Sequence, residues 1–408
     1  MPRSKKISSH HFSYFLLTAA ILSTLGLGFW KSQGHDLKGS FFSSNSLNQL
    51  KELNLENQMQ IEDLSQPDGS ILVNELFQAN VLSPEAPESN EHRGLIVSVK
   101  GQDEQEAYLL LNPTQELSQE GLQELASLYM EAVPEFKNVE VDQDLQLFGE
   151  PAYFSLPNEP TVQLASEESD LSAGAIRVAV IDSGVDSTHE VFKNISVETG
   201  WNTFDHRSLP TDDVSHGTHI AGIIAGQDPN VNIVPYKIVN SQGGKLSNVI
   251  EAFNQAIDDD VDLINTSFGL NSTSYALKEV VEKAYDSGII VVSAAGNSNS
   301  SKGFYPASYS HTIAVGAVDE NGIKMSKSNY GTWVDVVAEG SHIYSSIPGN
   351  RYGYKTGTSQ ATATVTAAVA RLLAEAEDRM DFEDVLEALQ SLPLAVEDGD
   401  LKGLAIVK

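Results

Sequence analysis

Ile176-Arg177-Val178-Ala179-Val180-Ile181-Asp182-Ser183-Gly184 is an apolar, β-branched run that ends in an acid and a glycine. It has no polar alternation, so it reads as a strand buried on both faces, as in a parallel sheet. Its carboxyl end carries Asp182, at the edge where open α/β sheets gather their ligands. The chain beyond it keeps alternating. Residues 233–239 read as a strand, 246–258 as a helix with one apolar face, and 261–265 as a strand. Residues 275–287 read as a helix, and 289–294 and 312–318 as strands. Such alternation implies an α/β fold with a parallel sheet covered on both faces.

Two other stretches carry chemistry. Gly357-Thr358-Ser359-Gln360-Ala361 opens a run of small and apolar residues that reads as a buried helix. Unpaired N–H groups and a partial positive charge at its start favour an oxyanion beside a first-turn serine. Alone, such a serine would be read as an N-cap. His216-Gly217-Thr218-His219-Ile220-Ala221-Gly222-Ile223-Ile224-Ala225-Gly226 sets a histidine at the head of a small-residue helix. A serine hydroxyl is a poor nucleophile at neutral pH; a histidine must take its proton, and a carboxylate must hold that histidine in one tautomer. Asp182, His216 and Ser359 supply these groups in that chain order.

These blocks resemble those of the subtilisin-like serine proteases. Val180 to Gly184, His216 to His219 and Gly357 to Ser359 match three signature blocks in order, and Ala294-Ala295-Gly296-Asn297 matches a fourth. The resemblance covers residues 176–408 and implies a doubly wound parallel sheet with the triad along its C-terminal edge. It implies Asp182 as orienter, His216 as general base and acid, Ser359 as nucleophile and Asn297 as side-chain oxyanion donor. It also implies the walls of a peptide cleft. Ser267-Phe268-Gly269 and Ala294-Ala295-Gly296 flank the primary specificity pocket, and Gln242-Gly243-Gly244-Lys245-Leu246 is the edge strand that pairs with substrate backbone. Phe304 stands at the pocket base where relatives often carry a small residue, which predicts a shallow pocket for side chains such as Ala or Ser.

The departures from the family pattern also carry expectations. The usual methionine after the nucleophile is Gln360, and the usual proline and histidine further on are Ala363 and Thr364. After Gly226 the segment at residues 227–232 is shorter than the calcium-binding loop of many relatives. Asp228, Asn230 and Asn232 offer oxygen, but calcium takes about six to eight ligands. No metal or other cofactor is therefore expected, weaker calcium sites aside. His219 reads as a structural hydrogen-bonding residue, Asp212 and Asp213 as solvated loop acids, and His189, His206, His311 and His342 as surface or core polar residues.

The whole chain has 408 residues, 25 Lys and Arg against 56 Asp and Glu, and a formal charge of −31. Phosphates would be repelled, which argues against nucleic acid as a partner. The chain has no cysteine, so disulfides, thiolate metal sites and cysteine catalysis are excluded.

Residues 1–11 form a basic flank, and the uncharged run at 12–30 is long enough for a membrane-spanning helix. It reads as a signal peptide or an uncleaved anchor; the lack of an A-x-A site favours the anchor and a membrane partner. Either way the protease is expected outside the cytoplasm. Residues 31–92 read as a polar, acidic linker. Residues 93–148 read as a small α+β unit, with strands at 95–99, 107–111 and 139–145 and a helix capped by Ser118. This unit resembles the family's propeptide, expected to occupy the cleft through residues 147–153, and 149–175 is a connector. The expected function is a serine endopeptidase made as an autoprocessed precursor, with peptide or protein substrates and its own propeptide as partners. A catalytically weak, peptide-binding scaffold is the alternative that the changes after Ser359 raise.

Overall fold

The computed structural model describes residues 59–63, 94–100, 106–113, 117–133, 136–147, 153–154, 175–228, 230–376, 378–393, 400–401 and 404–408. The expected membrane segment at 12–30 lies outside them, as do residues 155–174 of the connector. Among the described residues no helix is long and apolar enough to cross a membrane.

The N-terminal elements are β1 (Met59–Asp63), β2 (Leu95–Lys100), β3 (Glu106–Pro113), α1 (Gln119–Ala132) and β4 (Phe136–Val141). The strands make an antiparallel sheet in the order β1-β3-β2-β4. β1 falls inside the stretch read as linker; its pairing with β3 decides its conformation, and five residues carry too little pattern to announce it. Ser118 caps α1, its Oγ accepting from the Gly121 N–H at 3.1 Å. The strand alternation then does two jobs. Leu95, Val97 and Val99 pack with Leu122 and Tyr129 of α1. Ile96 on the opposite face joins a core cluster with Leu277, Val280 and Val281. The buried face of α1 runs through Leu122, Ala126 and Tyr129, and Leu128 is exposed.

Two short strands follow, β5 (Gln146–Leu147) and β6 (Tyr153–Phe154). The larger part then runs β7 (Ile176–Asp182), a 3-10 turn at Glu190–Phe192, β8 (Ser196–Val197), β9 (Trp201–Asn202), α2 (Gly217–Gln227), β10 (Val231–Lys237) and α3 (Leu246–Asp258). It continues through β11 (Leu263–Thr266), β12 (Phe268–Gly269), α4 (Tyr275–Asp286), β13 (Ile290–Ala294), β14 (Ile313–Val318) and β15 (Val336–Glu339). The last elements are β16 (Ile343–Ile347), β17 (Arg351–Lys355), α5 (Thr358–Glu375), α6 (Phe382–Gln390) and β18 (Ile406–Val407).

A nine-stranded sheet has the order β18-β15-β14-β13-β11-β7-β10-β8, with β9 also on β10. Its pairings are parallel, as the apolar run at 176–182 predicts. β7 feeds both layers: Val178 and Val180 pack with α2 and α5 residues such as Ile220 and Val365. Ala179 and Ile181 pack with α3 and α4 residues such as Phe253 and Val280. The sheet is thus covered on both faces, and the carboxyl ends of β7, β11 and β13 lie side by side at one edge.

Candidate active site

Asp182 is the last residue of β7, and His216 is the N-cap of α2. The His216 Nδ1–H donates to both Asp182 carboxylate oxygens at 2.8 Å, and both residues are buried. One Asp182 oxygen also accepts from the Ser183 N–H at 2.7 Å. Asp182 therefore fixes the orientation of the imidazole through Nδ1.

Asp212, expected as a solvated acid, is instead a buried anchor. Its Oδ1 accepts from the Val214 and Ser215 N–H groups at 2.9 and 2.8 Å and from Ser183 Oγ at 2.8 Å; its Oδ2 accepts from the Thr218 N–H at 2.9 Å. This satisfies orphan donors at the start of α2 and fixes Ser215 at φ 68°, directly before His216. Asp213 is also not simply solvated: it pairs with the buried Lys237 ammonium. Spacing along a loop cannot reveal Ser183, from the turn after β7, or Lys237, from β10, as partners.

Ser359 lies buried in the first turn of α5, and its Oγ donates to the Ser267 carbonyl at 3.5 Å. Asn297, beyond the end of β13, accepts from the Thr358 N–H through Oδ1 at 3.0 Å. The Gly296 N–H in turn donates to Thr358 Oγ1 at 3.1 Å. Gly357 admits this close approach, since a Cβ there would come within 2.9 Å of Asn297 Nδ2. The buried Asn329 holds the same loop: its Nδ2 donates to the Ala295 carbonyl at 2.7 Å, and its Oδ1 accepts from the Ser298 and Ser300 N–H groups at 3.0 Å. Nothing in the sequence around Asn329 marks that role.

Of the expected cleft walls, Phe268-Gly269 is β12 and pairs antiparallel with β5, Phe268 opposite Leu147 and Gly269 opposite Gln146. On the other side the Leu145 N–H donates to the Gly244 carbonyl at 2.9 Å, and Lys245 forms a bridge with Asp144. This edge is shorter than expected because Leu246 already begins α3. Gly243 takes φ 118°, and a Cβ on Gly244 would meet the Ile238 carbonyl at 2.2 Å. Phe304 is buried against Ala294, with Trp333 packed on the pair. β6 pairs with β17, Tyr153 opposite Tyr354 and Phe154 opposite Gly353. Leu147 and Tyr153 thus take strand pairings, whereas 148–152 lie outside the described residues.

The family model for the subtilase family matches residues 174–391, more than half of the chain. The chain belongs to the subtilase family. A thermophilic serine proteinase from Bacillus sp. (strain AK1) is 41% identical over 221 residues, 52% of this chain and 55% of that protein. Thermitase from Thermoactinomyces vulgaris is 36% identical over 237 residues, 55% of this chain and 84% of that one. The crystal structure of a cold adapted subtilisin-like serine proteinase aligns with a TM-score of 0.53 at 30% identity, over 57% of this chain and 88% of that one. The chain spans about half the length of the first of these relatives (55%) and of subtilisin amylosacchariticus from Bacillus subtilis subsp. amylosacchariticus (56%).

This subtilase buries the Gln360 side chain beside Ser359, with neither amide atom hydrogen-bonded among the described residues. His219 is buried as a structural residue, its Nε2–H donating to the Gly353 carbonyl at 3.1 Å. Burial, reinforced by the Lys355 charge, pushes its pKa down to about 3, so it stays neutral. In the loop after α2, Asp228 Oδ1 accepts from the Asn230 N–H at 2.9 Å. Asp228 Oδ2 is buried without a hydrogen-bond partner among the described residues. Melting is expected to be unchanged by EDTA; a drop of several degrees in the wild type, absent from Asp228→Asn, would show that a cation completes this carboxylate.

The N-terminal unit grips the larger part through two carboxylates. Asp142 accepts from the Ser247 N–H at 2.9 Å and Ser247 Oγ at 2.8 Å, at the start of α3. Glu140 accepts from the Ala276 N–H at 2.8 Å and Ser274 Oγ at 3.0 Å, at the start of α4. Helix N-termini favour such anions. Burial nonetheless pushes the Asp142 pKa from 3.8 up to about 6, with Lys245 opposing and Asp144 adding to the rise. Glu140 is raised by burial as well. The raised Asp142 pKa strengthens docking in acid, an effect fully present below about 3.8 and lost as pH rises through about 6. Docking is expected to be about tenfold tighter at pH 5 than at pH 7.5. Hydrogen exchange at residues 142–147 of Ser359→Ala, corrected for intrinsic rates, checks this, and Asp142→Asn should remove most of the pH dependence.

Proposed function

We propose that this chain is a serine endopeptidase in which Ser359 attacks the scissile carbonyl and His216 takes and returns the proton. Asp182 holds His216, and Asn297 with the Ser359 N–H stabilises the tetrahedral oxyanion. The observation that carries this reading is the buried Asp182–His216 pair on the same sheet edge as Ser359. Asn297 suits its role because its carbonyl end is engaged by Thr358, leaving the amide end as the donor. Asn297→Ala is expected to lower kcat by about 10²–10³ with little change in KM. A fluorophosphonate probe that labels the wild type but not Ser359→Ala tests the nucleophile; silence in both sinks it.

The substrate class is peptide or protein, bound as an extended strand between Gly244-Lys245 and Ser267-Phe268-Gly269, walls that β5 and residues 144–145 pair with. Ala294, Ala295, Gly296 and Phe304 would bound a pocket suited to small side chains. Residues 93–148 act as a propeptide, and the chain is made as a precursor that cuts itself within residues 148–152. The pairings of β5 on β12 and β6 on β17 support that position. Residues 1–30 direct export, so the enzyme works outside the cytoplasm, and residues 12–30 serve as an anchor unless they are removed.

A further inference from the structure

β16, β17 and β6 form a three-stranded antiparallel sheet. Along β17, Gly353 and Lys355 turn inward and are buried, whereas Tyr352 and Tyr354 alternate outward and are half-buried. Tyr344 of β16 lies directly across from Tyr354 and is half-buried as well. Its ring centroid is 4.9 Å from that of Tyr354 and 5.6 Å from that of Tyr352. Three tyrosines thus tile one face of the hairpin.

The hairpin is also fastened to α2. Besides the His219–Gly353 bond, Ser345 Oγ donates to the His219 carbonyl and Ser346 Oγ to the Thr218 carbonyl, both at 2.9 Å. The hairpin is therefore braced against the helix that carries His216, and β17 leads straight into Gly357-Thr358-Ser359. β6 occupies the edge of β17, whereas β5, which precedes it in the chain, lies against β12. The chain engages one wall before residues 148–152 and the β17 edge after them.

We propose that the edge of β17 and its tyrosine face bind the leaving-group side of the substrate, taking an extended strand with an aromatic residue within about five positions beyond the cut, and that Tyr153–Phe154 is the site's first occupant. The inference deepens the proteolytic reading and rests on it. Main-chain pairing accepts any sequence, whereas cross-strand contact with tyrosine rings selects, since aromatic pairs on one face attract. The residue opposite Tyr354 is itself a tyrosine, Tyr153.

The test uses internally quenched peptides that are identical up to the cut and carry Tyr-Phe or Ser-Ser at successive positions beyond it. Wild type is expected to favour the aromatic peptide by about five- to tenfold in kcat/KM at one placement. Tyr344→Ser/Tyr354→Ser should erase that preference and lose more on the long peptide than on a peptide anilide, which has no residues beyond the cut. No preference at any placement, or equal losses on both substrates, overturns the proposal. A readout independent of turnover is hydrogen exchange at residues 351–355 in the full-length Ser359→Ala chain. Adding Tyr153→Ser/Phe154→Ser should speed exchange there about five- to tenfold; unchanged rates overturn the strand site. If the wild type cuts no peptide and takes no fluorophosphonate, the proteolytic reading falls by itself, and the exchange comparison still decides the strand site.

Discussion

Wild-type protein is expected to be recovered cut within residues 148–152, and Ser359→Ala intact across the same segment. Without the serine oxygen no acyl-enzyme can form, and the remaining groups act only on water, so turnover should fall by about 10⁶. Intact-mass measurement of both proteins reads the result directly. A wild-type product beginning at residues 149–153, absent from the variant, would establish the nucleophile and the cut together. If both stay whole and neither takes a fluorophosphonate, the peptide-binding scaffold becomes the better reading, and the buried Gln360 amide beside Ser359 the first suspect. Cutting in both would point to another protease and sink the autoprocessing proposal.

Asp182→Asn is expected to lower kcat by about 10⁴ with the fold intact. Both carboxylate oxygens accept from His216 Nδ1, and one also accepts from the Ser183 N–H. An amide of the same shape would present an N–H on one side of that contact. The imidazole would then turn its lone pair to Nδ1 and its proton to Nε2, where a base must be bare. Labelling by the probe should fall with turnover while the melting temperature changes little. A loss of only a few fold would remove Asp182 from the proposed mechanism.

The parts of this chain legible in sequence are those whose signal is local. The strand at 176–182 announces itself by the apolar run Val178 to Ile181, and the bounds of α3 at residues 246–258 are legible because its periodicity and its ends coincide. Asp182, His216, Ser359 and Asn297 stand out because each opens or closes an element at a glycine-rich block. Asp212 and Asn329 do not, since an isolated Asp or Asn in a polar stretch has no periodicity to betray it; Asn329 bonds another loop, and Asp212 bonds its own loop, the start of α2 and Ser183. β1 and the β16–β17 hairpin are not legible in sequence for a related reason. Short strands take their conformation from a partner, and the alternation in Arg351–Lys355 makes sense only once α2 is known to lie beneath it.

The pair Gly296-Asn297 and Thr358 are joined by two bonds, the Thr358 N–H to Asn297 Oδ1 and the Gly296 N–H to Thr358 Oγ1. The proposed oxyanion donor and the turn bearing the nucleophile are therefore fastened directly to each other as well as to the sheet below. Their mutual alignment is thus set by direct contact and not only by the strand and helix that carry them. The entropy of bringing the two into register is settled once, when the chain folds, and not again at each turnover.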